Sequence, residues 1–265
     1  SITQLNDKKI EKFSFKNKVE IDKAIEEVKS KKFNINDISS KVVNRNPSGP
    51  FTTSTLQQVS SGRLGFGASR TMQIAQKLYQ GIEIDGETIG LITYMRTDGT
   101  NLSTDAIGTF RKYIKSEFGE EYIPDNAASY SGKKAKNAQE AHEAIRPTDI
   151  MRAPDTVKKY LSPDQHKLYD LIWCRALSSQ MKPAQFDRNT IIIASDDNGT
   201  ICKASGSVIK FDGFLKVMKD TKKDDDEDIL PEMNKGPVNI EALLDEQHFT
   251  QPPPRYSEAS LVKKL

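Results

Sequence analysis

The sequence predicts an α+β, multi-domain fold: an antiparallel β domain interrupted by a mainly α-helical insertion. Three observations predict it. The chain has 265 residues, above the common domain size of about 100–150 residues. Its hydrophobic period changes from two to 3.6 near residue 53 and back to two near residue 180. Asn198-Gly199 lies between two β-branched runs, the favoured pair for a tight antiparallel hairpin.

The elements follow in order. Phe13 and Phe15 alternate with polar residues and predict a strand pair over 9–19. Ile21, Ala24, Ile25 and Val28 recur at helical spacing and predict a helix over 22–32. Phe33, Ile35 and Ile38, then Val42 and Val43, predict a long strand, which Asn46-Pro47-Ser48-Gly49-Pro50 breaks. Helices are predicted over 54–60, 69–80, 104–118, 139–145 and 163–181. Ser103 is a candidate cap, and Pro163 occupies a favoured first helical position. Leu168, Leu171, Ile172 and Ala176 make the apolar stripe of the last helix, with Trp173 and Cys174 read as core beside it. Thr190-Ile191-Ile192-Ile193 is β-branched and predicts a strand over 186–194. Further strands are expected over 201–211, 214–218 and 238–244. Pro252-Pro253-Pro254 reads as a stiff linker, and Ser257 as the cap of a short last helix. A helix that stops so soon, with no Met at residue 1, suggests a piece of a longer protein.

Composition bounds the function. Hydrophobic residues make up 36% and charged residues 29%, ordinary for a soluble globular chain. No apolar run approaches the roughly 20 residues of a spanning helix, and no signal-peptide pattern is read, so no membrane partner is expected. Cys174 and Cys202 have no zinc spacing and read as free thiols in a reducing cytoplasm. The net charge of +2 does not announce a nucleic-acid binder. Two local clusters, Lys133, Lys134 and Lys136, and Lys29, Lys31 and Lys32, are candidate phosphate contacts; solvated faces are the simpler reading of each. The run Asp224-Asp225-Asp226-Glu227-Asp228 has the look of an acidic metal loop, but among lysines it reads as a charged hairpin tip and is not assigned magnesium.

The chemistry concentrates in Thr93-Tyr94-Met95-Arg96-Thr97-Asp98. If extended, this stretch puts Tyr94 and Arg96 on one face. The phenol is then a candidate nucleophile and the guanidinium a phosphate holder beside it, the minimum needed to attack a phosphodiester and store the strand end as phosphotyrosine. Alternating Tyr and Arg on a half-exposed strand is the bland alternative. A phenol near pKa 10 needs help, from a cation or a proton acceptor. Gln139-Glu140-Ala141-His142-Glu143-Ala144-Ile145-Arg146-Pro147-Thr148 offers it: on a helix His142 and Arg146 share a face. No second histidine completes a zincin motif. Gly62-Arg63-Leu64-Gly65-Phe66-Gly67 lacks the lysine and leading strand of a phosphate loop, so ATP use is not supported.

Four segments in order resemble the bacterial type IA DNA topoisomerase I family: Pro50 to Gln58, Gly90 to Asp98, Gln139 to Thr148, and Arg255 to Val262. The resemblance implies that residues 1–53 and 180–252 form a discontinuous β arch, 54–179 the helical domain bearing the active-site tyrosine, and 253–265 the start of a further helical domain. It implies that Tyr94 is the nucleophile that holds a 5′ phosphate, that Arg96 assists cleavage and that His142 contacts DNA. Asp98, Thr93, Arg146, Glu143, Lys133 and Lys134 are expected in supporting or DNA-binding roles. Gly99 stands where the family commonly has serine. The expected partners are a single-stranded DNA segment and the family's Toprim and remaining helical domains. Mg2+ is expected to be held by carboxylates of the Toprim domain, with no metal site in this chain. A monomer in the cytoplasm, at the bacterial nucleoid, is expected, inactive on its own. Crossings near Thr53 and Gln180 are expected to act as hinges. A non-catalytic clamp for single-stranded DNA is the alternative; a phosphotyrosine recombinase does not fit the order of motifs.

Overall fold

The computed structural model describes residues 1–130, 143–218, 230–231 and 233–264. The chain divides into two compact units. A β unit comprises the described residues of Ser1–Asn44, Gln185–Phe211 and Lys222–Pro252, and a helical unit those of Arg45–Ala184, Asp212–Thr221 and Pro253–Leu265. The α+β architecture with an inserted helical unit is therefore present.

In the β unit the strands β1 (Ile2–Leu5), β2 (Lys8–Lys9) and β3 (Phe33–Arg45) flank helix α1 (Lys18–Ser30). Asn17 caps α1 by accepting from the Glu20 N–H, which starts the helix inside the stretch predicted as a strand pair. Phe13 is 70% exposed there and has no strand to pack against. In the helical unit α2 (Thr53–Leu64), α3 (Ala68–Gln80), the hairpin β4 (Ile82–Ile84) and β5 (Glu87–Ile89), α4 (Thr104–Glu117), α5 (Pro154–Val157) and α6 (Pro163–Ser178) follow. The chain returns to the β unit through β6 (Ala184–Ser195), β7 (Ile201–Phe211) and β8 (Gly236–Val238), and α7 (Glu258–Lys264) belongs again to the helical unit.

The large sheet has the order β2-β1-β7-β6-β3-β8. β6 and β7 pair antiparallel from Gln185↔Phe211 to Ala194↔Ile201, closed by the predicted turn with Asn198 at φ 57°. Ser195, the Gly199 N–H and Lys31 all contact the Asp197 carboxylate in this turn. The hydrogen bond from Ser195, with those from Gly199 and Lys31, pulls the Asp197 carboxyl down to about 2. Lys29 pairs with Glu26, and Lys31 with Glu27 and Asp197, so two members of that lysine cluster are neutralised within the unit.

The helical unit carries most of the core. Leu56, Leu78, Phe110, Ile114, Leu168 and Ile172 are at most 1% exposed, each stabilising by about 1.5–3 kcal/mol through burial. Helix α2 packs on α3, α6 and α7. Ser103 caps α4 and Pro163 occupies the first turn of α6, as predicted, and Ser162 caps α6. Trp173 and Cys174 are buried, and the indole N–H donates to the Ile150 carbonyl. Gly67 cannot cap α3 with a side chain; Glu258 Oε2 accepts from the Ala68 N–H instead, at 2.8 Å. The glycine-rich stretch 62–67 is the corner between α2 and α3.

Three expectations are corrected. Residues 213–216 form a 3-10 turn, not a strand, because Gly213 takes φ 49° and a Cβ there would lie 2.5 Å from the Pro183 carbonyl oxygen. The strand expected over 238–244 ends at Val238, where its pairing with Phe33 ends. The division between units falls at Asn44/Arg45 and Ala184/Gln185, whereas Thr53 and Gln180, the expected crossings, lie inside the helical unit, with Gln180 1% exposed. Residues 253–264 likewise belong to this unit. The acidic run 224–228 lies outside the described residues. Among the described residues no helix is long and apolar enough to cross a membrane.

Candidate active site

The Tyr94 segment is a loop laid between two others, not a regular strand. It leaves α3 and the β4–β5 hairpin through Gly90, where a Cβ would sit 2.7 Å from the Tyr79 carbonyl oxygen. The close approach lets the Leu91 N–H donate to the Leu78 carbonyl at 2.8 Å. On one side the loop is tied to residues 144–148. Ile92 bridges Pro147, Thr93 N–H donates to the Arg146 carbonyl at 2.9 Å, and Thr148 N–H donates to the Leu91 carbonyl at 3.0 Å. The Thr93 hydroxyl donates to the Ala144 carbonyl and accepts from the Arg146 N–H. On the other side, residue 53 at the start of α2 exchanges hydrogen bonds with residues 95 and 97.

Although the loop is irregular, its side chains alternate over residues 94–98 as an extended segment requires. Leu91, Ile92, Met95 and Thr97 are buried, and Tyr94, Arg96 and Asp98 are exposed. The predicted common face of Tyr94 and Arg96 is thus built by burial of the alternate residues. Tyr94 is 45% exposed, and its ring meets Tyr79 edge-on with centroids 5.3 Å apart. Among the described residues the Tyr94 hydroxyl, the Arg96 guanidinium and the Asp98 carboxylate have no hydrogen-bond or ion-pair partner. Burial raises Tyr113, Tyr130 and Tyr169, and burial with the hydrogen bond to Asp212 pushes Tyr122 up to about 12.

The second cluster is corrected in part. Of the helix predicted over 139–145, the described residues 143–145 are not helical: Ile145 bridges Phe51, and Pro147 disfavours helix in the residue before it. The Arg146 guanidinium is not free to grip phosphate. It donates to both Glu143 carboxylate oxygens, at 3.3 and 2.8 Å, and to the Pro147 carbonyl at 2.9 Å, with its side chain 15% exposed. Glu143 also accepts from the Ser103 N–H at 2.6 Å, tying the cluster to the start of α4. Burial opposes ionisation of Glu143, but the bonds from Arg146 and Ser103 outweigh it and hold the carboxyl below its usual range. His142, Lys133 and Lys134 lie outside the described residues. Gly99 N–H donates to the Thr97 hydroxyl at 2.9 Å. From the sequence, Thr53 is expected at a hinge crossing and falls within a recognised segment but is given no part in the site, and Tyr79 gives no signal. Among the described residues no three His, Cys, Asp or Glu side chains converge.

Known proteins that match this chain define the class it belongs to. A family model described as DNA topoisomerase matches residues 1–265. DNA topoisomerase 1 of Rickettsia felis is 48% identical over 268 residues, covering 100% of this chain and 34% of that protein. The Campylobacter jejuni protein of the same name is 44% identical over 265 residues, covering 100% and 37%. Full-length topoisomerase I from Thermotoga maritima superposes with a TM-score of 0.76 at 37% identity, over 96% of this chain and 40% of that one. The chain belongs to the bacterial DNA topoisomerase I family. It spans about a third of the length of the curated relatives it matches.

Proposed function

We propose that the chain is the cleaving and gate portion of a type IA DNA topoisomerase, and that Tyr94 makes the covalent bond to DNA. The phenolic oxygen attacks a backbone phosphorus of one strand. The O–P bond to tyrosine forms as the phenol gives up its proton, the bond from phosphorus to the 3′ oxygen breaks, and that oxygen takes up a proton to leave as the 3′ hydroxyl. Arg96, on the same face, offsets charge building on the phosphoryl oxygens. Reversal by the 3′ hydroxyl reseals the strand after another strand has passed, and the phosphotyrosine keeps the bond energy, so no ATP is consumed. His142 and Asp98 are assigned supporting contacts to DNA. In this reading the magnesium-binding carboxylates belong to a Toprim domain outside these residues, and the chain alone does not relax DNA. The whole protein acts as a monomer on the cytoplasmic nucleoid.

The observation that carries the reading is the pairing of a locked backbone with an unengaged phenol: the loop is hydrogen-bonded on both sides, yet the Tyr94 hydroxyl has no partner among the described residues. The edge-on pair with Tyr79 favours a second reading, a clamp that stacks nucleobases without cutting. Tyr94→Phe in the full-length enzyme separates the two. Loss of the covalent DNA adduct with single-stranded DNA binding retained supports cleavage. An adduct that persists in Tyr94→Phe excludes Tyr94 as the nucleophile.

A further inference from the structure

Arg96 is useful only if it leaves the backbone on the same side as Tyr94, and an irregular loop does not guarantee that. The groups that fix its direction are the peptide units on either side of it. Both are held by one residue. The Thr53 hydroxyl donates to the Met95 carbonyl at 2.7 Å, with the Thr97 carbonyl a second acceptor at 3.1 Å, and it accepts from the Thr97 N–H at 2.8 Å. The Thr53 N–H donates to the Thr97 carbonyl at 2.9 Å. The last polar group before residue 96 and the first after it therefore close on the same hydroxyl. Thr93 does the corresponding work before Tyr94, through Ala144 and Arg146.

Thr53 is not occupied by its helix. Thr52 is the cap of α2 and forms the capping box with Thr55, so the Thr53 side chain is left to face the loop. A β-branched residue has few accessible χ1 states, and at a helix start those states are narrowed further. The hydroxyl is thus held in place by α2, which packs on α3 and α6. Thr97 and Met95 are buried beneath it, at 8% and 1% exposure, so water does not readily replace the lost bonds.

We infer that Thr53 is a positioning residue for the cleavage chemistry: its hydroxyl sets the backbone on both sides of Arg96 and so aims the guanidinium at the phosphate that Tyr94 attacks. This rests on the cleavage reading above. It touches neither DNA nor the reacting atoms and acts through Arg96. Its signature is a slower chemical step without weaker binding, because the surface offered to the rest of the DNA does not change.

The test uses the full-length enzyme with Thr53→Val, which keeps the branched shape and removes the hydroxyl, and Thr53→Ser, which keeps the hydroxyl. Single-turnover cleavage of a single-stranded oligonucleotide, its affinity under non-cleaving conditions and amide exchange at Thr97 are read for each. Thr53→Val is expected to cleave about 10- to 100-fold more slowly, as a small misplacement of a catalytic group does, with affinity unchanged and exchange at Thr97 accelerated. Thr53→Ser is expected to restore the rate to within about threefold, since its hydroxyl can remake both bonds. A wild-type rate in Thr53→Val, or a loss of affinity equal to the loss of rate, overturns the inference. So does a Thr53→Ser enzyme as slow as Thr53→Val. If Thr53→Val does not fold, the decision falls to Thr53→Ser against Thr53→Ala on the same three readouts, with the same expected ordering. Tyr94→Phe serves as the separate control: a persistent adduct there defeats the cleavage reading, whereas a slow but Tyr94-dependent Thr53→Val leaves it standing.

Discussion

In the helical unit, side chains from α2, α3, α4 and α6 are buried to within 1% of complete exclusion from water, Leu56, Leu78, Phe110, Ile114 and Leu168 among them. In the β unit, the buried apolar residues among those described are Val28, Phe33, Ile35, Ile191 and Ala194, and β3 runs from residue 39 to Arg45 with every side chain exposed. One unit is held by packing and the other chiefly by its ladder of backbone hydrogen bonds and by polar ties such as Asp197 with Lys31. The tyrosine sits in the packed one. Under the proposed cleavage, a group that meets a phosphate within a fraction of an ångström needs surroundings that do not yield, and close packing supplies them.

The contrast can be broken by substitution. Phe110→Ala should cost about 3–5 kcal/mol in denaturant unfolding of the helical unit; Val42→Ala, at a site 48% exposed, should change stability by no more than about 0.5 kcal/mol. Equal effects would erase the distinction. Gly213→Ala comes next. Its Cβ would meet two backbone carbonyls within 2.6 Å, and the φ of 49° is itself unfavourable for alanine, so a loss of about 1–3 kcal/mol is expected by thermal melting.

Smaller, pH-dependent effects sharpen the comparison. The Glu143 carboxyl lies below its ordinary value of 4.5, so its contribution is present above that value and is lost as pH falls through the depressed one. Glu143→Gln should cost about 1 kcal/mol at neutral pH and flatten this part of the acid limb. Asp197 should give the smallest effect, being exposed. Its stabilisation is complete above the ordinary 3.8 and fades as pH falls towards about 2, and Asp197→Asn should remove that segment of the curve. A larger effect from Asp197 than from Phe110 would reverse the ranking of the two units.

Local rules made much of this legible. Ser103, Pro163 and Asn198-Gly199 each act within a few residues, and each formed the cap, first turn or hairpin turn expected. The common face of Tyr94 and Arg96 also survives, because alternation of burial follows from an extended backbone with or without a regular ladder. What failed was decided by distant partners. Residues 143–145 are not helical, with Ile145 paired to Phe51, and Arg146 is spent on Glu143. The hairpin of β4 and β5 turns at Asp85-Gly86, a signal present in the sequence and overlooked because its strands are three residues long. Thr53 could not be recognised as a clip, since a threonine at the start of a helix has the same sequence whether its hydroxyl faces water or another loop.

The cap on α3 has a bearing on how the protein is made. Glu258, which completes the first turn of that helix, is joined to the growing polypeptide 190 positions after Ala68. Until the ribosome has delivered it, the amide of Ala68 has only water to satisfy it, and the helix that leads toward Tyr94 stays open at its beginning. Translation order alone would then delay closure of the first turn of α3 until α7 has emerged.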